Sequence, residues 1–212
     1  MSAGSPLGAE GFAAETGVSR ETMGRLEAYA TLLVAWSARI NLVGRTTLED
    51  LWRRHFLDSA QLLPLIPTGT KTLIDLGSGA GFPALVLAIL GVPGAELVEA
   101  DSRKAAFLRE AARITKTPVI VHGCRIEAVR PHEVDVLTAR GCAPLPRLLS
   151  LGERFIGPRT TCLLAKGARA EEELTDAGKA WTMTLSRHPS RADPGGCILL
   201  LQQVAPREPR RD

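Results

Sequence analysis

Aromatic residues are scarce in this chain of 212 residues: five Phe, three Trp and one Tyr make up 4%. So few rings argue against a single-stranded nucleic-acid groove built on successive base-stacking platforms. Charge of one sign is also weak. The formal net charge of +3 permits a polyanionic partner without requiring one. No apolar run reaches transmembrane length, so no membrane partner is expected. The first residues lack the basic and apolar blocks of a secretion signal, which predicts a cytoplasmic protein. The four cysteines, Cys124, Cys142, Cys162 and Cys197, form no C-x-x-C and have no His pair at ligand spacing nearby. Reduced, mostly buried thiols and no metal centre are expected. With 45% hydrophobic and 23% charged residues, the chain can fill one sizeable domain and a modest appendage; a monomer is the default.

What is present is organised around residues 72–85, TLIDLGSGAGFPAL. A short apolar run reads as a buried strand, and Gly77, Gly79 and Gly81 follow at alternate positions. The apolar stretch 83–90 then reads as a helix, with Pro83 tolerable in its first turn. Strand, glycine turn and helix N-terminus together make a nucleotide cradle, because glycine lets the backbone turn sharply and approach a ligand closely. The bland alternative is a turn that serves packing alone. A dinucleotide loop, G-x-G-x-x-G, would need its third glycine at the place of Phe82. The spacing D-x-G-x-G-x-G, with Asp75 at the strand end, is that of S-adenosylmethionine (SAM) methyltransferases of the Rossmann-like class, where the acid can face the ligand's ammonium. Asp101 closes the next apolar stretch, followed by Ser102, and a carboxylate there can accept hydrogen bonds from ribose hydroxyls.

Residues 1–18 are expected to be a flexible N-terminus and residues 19–70 a helical extension. In the extension Ser19 caps a helix, with Met23, Leu26, Tyr29, Ala30, Leu33, Trp36 and Ile40 on one face. Thr47 could cap a second helix carrying Leu48, Leu51, Trp52, Phe56 and Leu57. Arg53, Arg54 and His55 between those anchors are either a solvated basic face or substrate-facing. Residues 71–205 alternate strand and helix, with strands near 72–76, 96–100, 118–122, 134–138 and 160–165 and two closing strands near 183–188 and 197–204. That pattern predicts an α/β fold: a mostly parallel seven-stranded sheet with helices on both faces. Residues 206–212 read as a basic tail.

Ligands of such sheets bind at the carboxyl ends of the strands. Besides the glycine loop and Asp101, that rule selects three places. At 122–127 (HGCRIE), Arg125, Ile126 and Glu127 either frame an adenine or form an ordinary turn with Glu127 paired to Arg125 or Arg130. At 138–146 (TARGCAPLP), Arg140 would lie beside the methyl donor and could bond a guanine edge, or else form a salt bridge to Asp135 or Asp101. Lys166 would point to the same cleft or cap the sheet edge.

Two absences narrow the chemistry. The N/D-P-P-Y/F loop of adenine-N6 methylation is missing. Cys142 lacks a preceding Pro or an activating base for pyrimidine C5 attack, and reads as structural. Guanine N7 asks for less, since its lone pair attacks in line with no proton leaving first.

The stretches NLVGRTTLEDLWRRHFLDS, TLIDLGSGAGFPALVLAI, DSRKAAFLRE, CRIEAV, VLTARGCAPL and LLAKG resemble the RsmG family, also called glucose-inhibited division protein B. The resemblance runs in order over about residues 20–203. It implies SAM-dependent N7 methylation of a guanosine in small-subunit (16S) ribosomal RNA, acting on the RNA or the 30S particle. It also implies cofactor residues at Gly77, Phe82, Ile126, Glu127 and Arg140, with Asp101 at the ribose. Arg54, His55 and Lys166 match positive positions expected near the RNA or the reactive cleft. A small-molecule or protein methyltransferase, and a non-catalytic RNA-binding assembly factor, are the competing expectations.

Overall fold

The computed structural model describes residues 6–207. The expected basic tail therefore lies mostly outside the described residues, as does the start of the expected flexible N-terminus. Residues 9–16, expected to be irregular, form α1 (Ala9–Thr16). Its Phe12 is fully buried against Trp52 and Phe56, and that burial orders the segment.

The extension continues with α2 (Arg20–Ser37), whose first turn is capped as expected: the Ser19 hydroxyl accepts from Thr22 N–H at 3.1 Å. The short α3 (Arg45–Leu48) begins at Gly44, not Thr47. A six-residue π-helical turn, Trp52–Leu57, then runs into α4 (Asp58–Ala60). Such wide turns are rare and concentrate at functional sites.

From β1 (Leu73–Leu76) the chain alternates as the sequence predicts. Next come α5 (Ala84–Ile89), β2 (Ala95–Val98), α6 (Ser102–Ile114), β3 (Val119–His122), β4 (Val136–Arg140), α7 (Leu145–Gly152), β5 (Thr161–Lys166), α8 (Ala170–Ala177), β6 (Trp181–Pro189) and β7 (Cys197–Pro206). The seven strands lie in the order β3-β2-β1-β4-β5-β7-β6, with β7 antiparallel to both neighbours. Strand order reverses between β1 and β4, where the crevice of an open α/β sheet opens.

Alternation along β1 sends Leu73 to one face and Ile74 and Leu76 to the other, and all three are buried. Leu73 joins a core shared with α1, α2, the π-helical turn, α5 and α6. Ile74 and Leu76 join a second core with α7 and α8. The N-terminal helices thus cover one face of the sheet. They reach the glycine loop itself.

Candidate active site

Gly77, Gly79 and Gly81 all have positive φ, at 69°, 57° and 98°, which other residues rarely adopt. The turn is tight as well as left-handed. A Cβ on Gly77 would lie 2.7 Å from the Cys142 Sγ, and one on Gly81 would lie 2.7 Å from the Tyr29 hydroxyl. Tyr29, fully buried on α2, donates that hydroxyl to the Ala80 carbonyl. The extension therefore holds the loop by a hydrogen bond, and the loop has no spare volume there.

Phe82, expected to contact cofactor, turns its ring into the core and is 3% exposed. Tyr29 stacks on it at 5.4 Å, His55 at 4.9 Å, and the Arg140 guanidinium lies 5.0 Å from its centroid. Its observed contacts join the loop, the extension and the end of β4.

Two carboxylates serve the cradle. Asp75 is fully buried on β1, and its Oδ1 accepts from the hydroxyl of Thr138, its register partner on β4, at 2.7 Å. Its Oδ2 has no hydrogen-bond partner among the described residues. Burial raises this carboxyl to about 7, and the Ser78 and Thr138 hydroxyls and Arg140 offset only part of the rise. Glu99, just past β2, is the second. Its Oε2 accepts from Gly79 N–H at 2.8 Å and its Oε1 from Asp101 N–H at 2.7 Å.

Asp101, expected at the ribose, has another task. Its Oδ1 accepts from the N–H groups of Arg103 (2.8 Å) and Lys104 (3.1 Å), so it is the N-cap of α6. Those bonds, led by that from Lys104, hold its carboxyl below the usual range. Ser102 is the first residue of α6 and is exposed.

The turn after β3 carries Ile126, which is buried, and Glu127, which is exposed and pairs with Arg147 at 3.2 Å, not with Arg125 or Arg130. Arg154 braces this turn by donating to the carbonyls of Ile126, Glu127 and Val129. Nothing in its sequence neighbourhood marks it for that role.

Arg140 ends β4 and is engaged on three sides. It donates to the Arg54 carbonyl at 3.0 Å, to Asp58 Oδ2 at 2.9 Å and to His55 Nδ1 at 2.8 Å. Its carboxylate partner is Asp58, neither Asp135 nor Asp101. Asp135 instead receives the N–H groups of Lys71 and Thr72 at the opposite end of the sheet.

His55 is not the positive group the resemblance implied. It is 7% exposed, and burial, Arg140 and Arg54 in that order lower its pKa to about 3. Thr47 gives its hydroxyl proton to the Gly44 carbonyl, so His55 Nε2 donates to Thr47 and Nδ1 is left to accept from Arg140. The neutral ring is a bridge between the extension and Arg140. Lys166 is likewise committed: its Nζ donates to Glu173 at 2.8 Å and to the Ala143 carbonyl at 2.9 Å, bracing the turn after β4. Arg54 pairs with Asp193 at 3.3 Å.

Beside the glycine loop these residues line a cleft of about 500 Å³ that includes Arg54, His55, Asp58, Arg140, Cys142, Lys166, Arg169, Glu173 and Asp193. That volume suits one nucleotide base with part of its sugar. Burial raises the Cys142 thiol, which keeps it protonated and unreactive, as a structural residue should be.

The profile of the family described as GidB, rRNA small subunit methyltransferase G, matches residues 22–191. The chain belongs to this family. A relative from Paramagnetospirillum magneticum named ribosomal RNA small subunit methyltransferase G is 56% identical over 199 residues, covering 94% of this chain and 97% of the relative. A relative of the same name from Rhodospirillum rubrum is 57% identical over 195 residues, covering 92% and 97%. Among solved structures, M. jannaschii TYW2 in complex with AdoMet superposes with a TM-score of 0.55 at 16% identity, over 81% of this chain and 80% of that one. The ribosomal protein L11 methylase of Lactobacillus delbrueckii gives 0.57 at 12% identity, over 69% and 76%. As a member of this family the chain is a SAM-dependent small-subunit rRNA methyltransferase, and the solved structures share its Rossmann-like fold. Among the described residues, no helix is long and apolar enough to cross a membrane.

The cradle fits the cofactor on its own geometry. An unpartnered buried carboxylate oxygen suits an ammonium, and a glycine loop with no room for a side chain suits close approach. An ammonium received by Asp75 would link affinity to pH. A cationic ligand favours the ionised carboxyl, so binding expels a proton, and affinity should rise as pH climbs from 6 to 8 and level off above. Calorimetric titration with SAM across that range reads the slope. In Asp75→Asn the slope should vanish, and an unchanged slope would place the titration elsewhere.

Proposed function

We propose that this enzyme methylates guanine N7 in small-subunit ribosomal RNA. The observation that carries the choice of atom is that no base stands ready in the cleft. Among the described lining residues, the lone pair of His55 Nδ1 is taken by Arg140, Asp58 is paired with Arg140, Glu173 with Lys166 and Asp193 with Arg54. An exocyclic amine or a hydroxyl would have to lose a proton to such a base, whereas N7 need lose none. When bound, SAM supplies an electrophilic methyl on a sulfonium, and the purine that accepts it takes over the positive charge.

The residues then bind and orient. Asp75 receives the ammonium, Glu99 the ribose hydroxyls, and the buried Ile126 one face of the adenine. Arg140, locked by Asp58, His55 and Phe82, forms the cleft wall against which the guanine is held. Residues 19–70 form part of this site, since Tyr29, Arg54, His55 and Asp58 all come from them. This reading takes the enzyme to be a cytoplasmic monomer. It needs no metal, because a sulfonium methyl requires no Lewis acid.

The test uses methyl-labelled SAM and 30S subunits lacking the modification, with the RNA digested to nucleosides and analysed by mass spectrometry. Label in 7-methylguanosine is the expected result. Label in another nucleoside would overturn the choice of N7, and label only in protein would overturn the substrate.

A further inference from the structure

We infer that Arg169 is the residue by which the cleft takes an RNA backbone phosphate. The inference rests on the reading of this cleft as the RNA site. Four cationic side chains line it, and three are already matched by carboxylates. Arg140 is held by Asp58 at 2.9 Å, Lys166 by Glu173 at 2.8 Å and Arg54 by Asp193 at 3.3 Å. His55 carries no proton at neutral pH. The inner cleft is therefore electrically balanced, and those pairs fix its walls. A phosphate competing for one of them would have to strip a carboxylate from its partner.

Arg169 is different. Its guanidinium is exposed and makes no hydrogen bond or ion pair among the described residues. It stands immediately before α8, in the turn 167–169 whose three residues are all exposed. The base of that turn is anchored, because Lys166 Nζ bonds both Glu173 and the Ala143 carbonyl. Of the three acids in the first turn of α8, Glu171 pairs with Arg187 and Glu173 with Lys166, and Glu172 does not line the cleft. Glu173 lies close enough to feel the Arg169 charge, but its Oε2 is taken by Lys166 and by Leu145 N–H. Arg169 is thus the one unmatched charge in the lining. An arginine fork on an anchored turn suits a phosphate, whose oxygens accept two parallel N–H bonds.

Binding of 30S subunits lacking the modification, measured against salt for Arg169→Ala, Arg169→Lys and the wild type, tests this. Lys179→Ala, which removes an exposed cation just beyond the far end of α8, controls for net charge alone. Arg169→Ala should bind the subunit about three- to tenfold more weakly and lower the log–log salt slope by about 0.7, the contribution of one single-strand phosphate contact. Its affinity for SAM should be unchanged. Arg169→Lys should recover the salt slope, and Lys179→Ala should match the wild type. Wild-type affinity and slope in Arg169→Ala, or an equal loss in Lys179→Ala, would overturn the assignment. A wild-type protein that neither binds nor methylates the subunit would instead overturn the reading of the cleft.

Discussion

Replacing Gly77 with leucine is expected to abolish SAM binding while leaving the sheet folded. Two independent effects act at this position. Its φ of 69° costs a residue with a Cβ about 1–2 kcal/mol. That Cβ would also stand 2.7 Å from the Cys142 Sγ and 3.0 Å from its Cβ. The clash falls between the cofactor loop and the turn after β4, so relieving it moves one wall of the site or the other. Gly77→Ala, a smaller insult, should bind at least tenfold more weakly. The double variant Gly77→Ala/Cys142→Ala removes the contact with sulfur but not the backbone strain, and should recover only part of the affinity. Calorimetry gives the affinities, and circular dichroism confirms the fold. Undiminished affinity in a folded Gly77→Leu protein would remove the loop from cofactor binding.

Arg140→Ala should lower methyl transfer by about 10²-fold or more, since displacement of a positioning group by an ångström has that effect. Stability should fall too, by about 3 kcal/mol, because Asp58 is left without its partner in a mostly buried setting. The two losses are separable. Adding Asp58→Asn removes the orphaned charge, and the double variant should regain most of the stability and none of the activity. Thermal unfolding and turnover on 30S subunits check both. Recovery of turnover with stability would mean that Arg140 holds the fold together and does nothing further.

These expectations draw on residues of unequal visibility in the sequence. The glycine loop, the alternation of strand and helix and the position of Arg140 are legible because each has a local signature: spacing, periodicity, or a place at a strand end. The partners of those residues carry no such mark. Tyr29 reads as one more apolar position on α2, yet its hydroxyl holds the Ala80 carbonyl. Glu99 lies two residues before the more conspicuous Asp101, and only the close of β2 at Val98 brings its carboxylate to the Gly79 N–H.

His55 is the sharpest case. Adjacent in sequence, Arg53, Arg54 and His55 look like one basic group, but His55 stands four residues after Leu51 and three after Trp52, which puts it on their side of the helix, where it stacks on Phe82. There its charge is lost to burial. A group that reads as cationic in the sequence is neutral in the fold.

On the proposed reading, the crevice between the carboxyl ends of β1 and β4 holds SAM and opens onto the guanine cleft. A crystal structure of the protein with S-adenosylhomocysteine tests it most directly. Expected are ribose hydroxyls bonded to Glu99, adenine against Ile126 and the amino group directed to Asp75, with Asp101 still capping α6. A nucleoside held outside this crevice, or a ribose bound by Asp101 with the α6 cap broken, would contradict it.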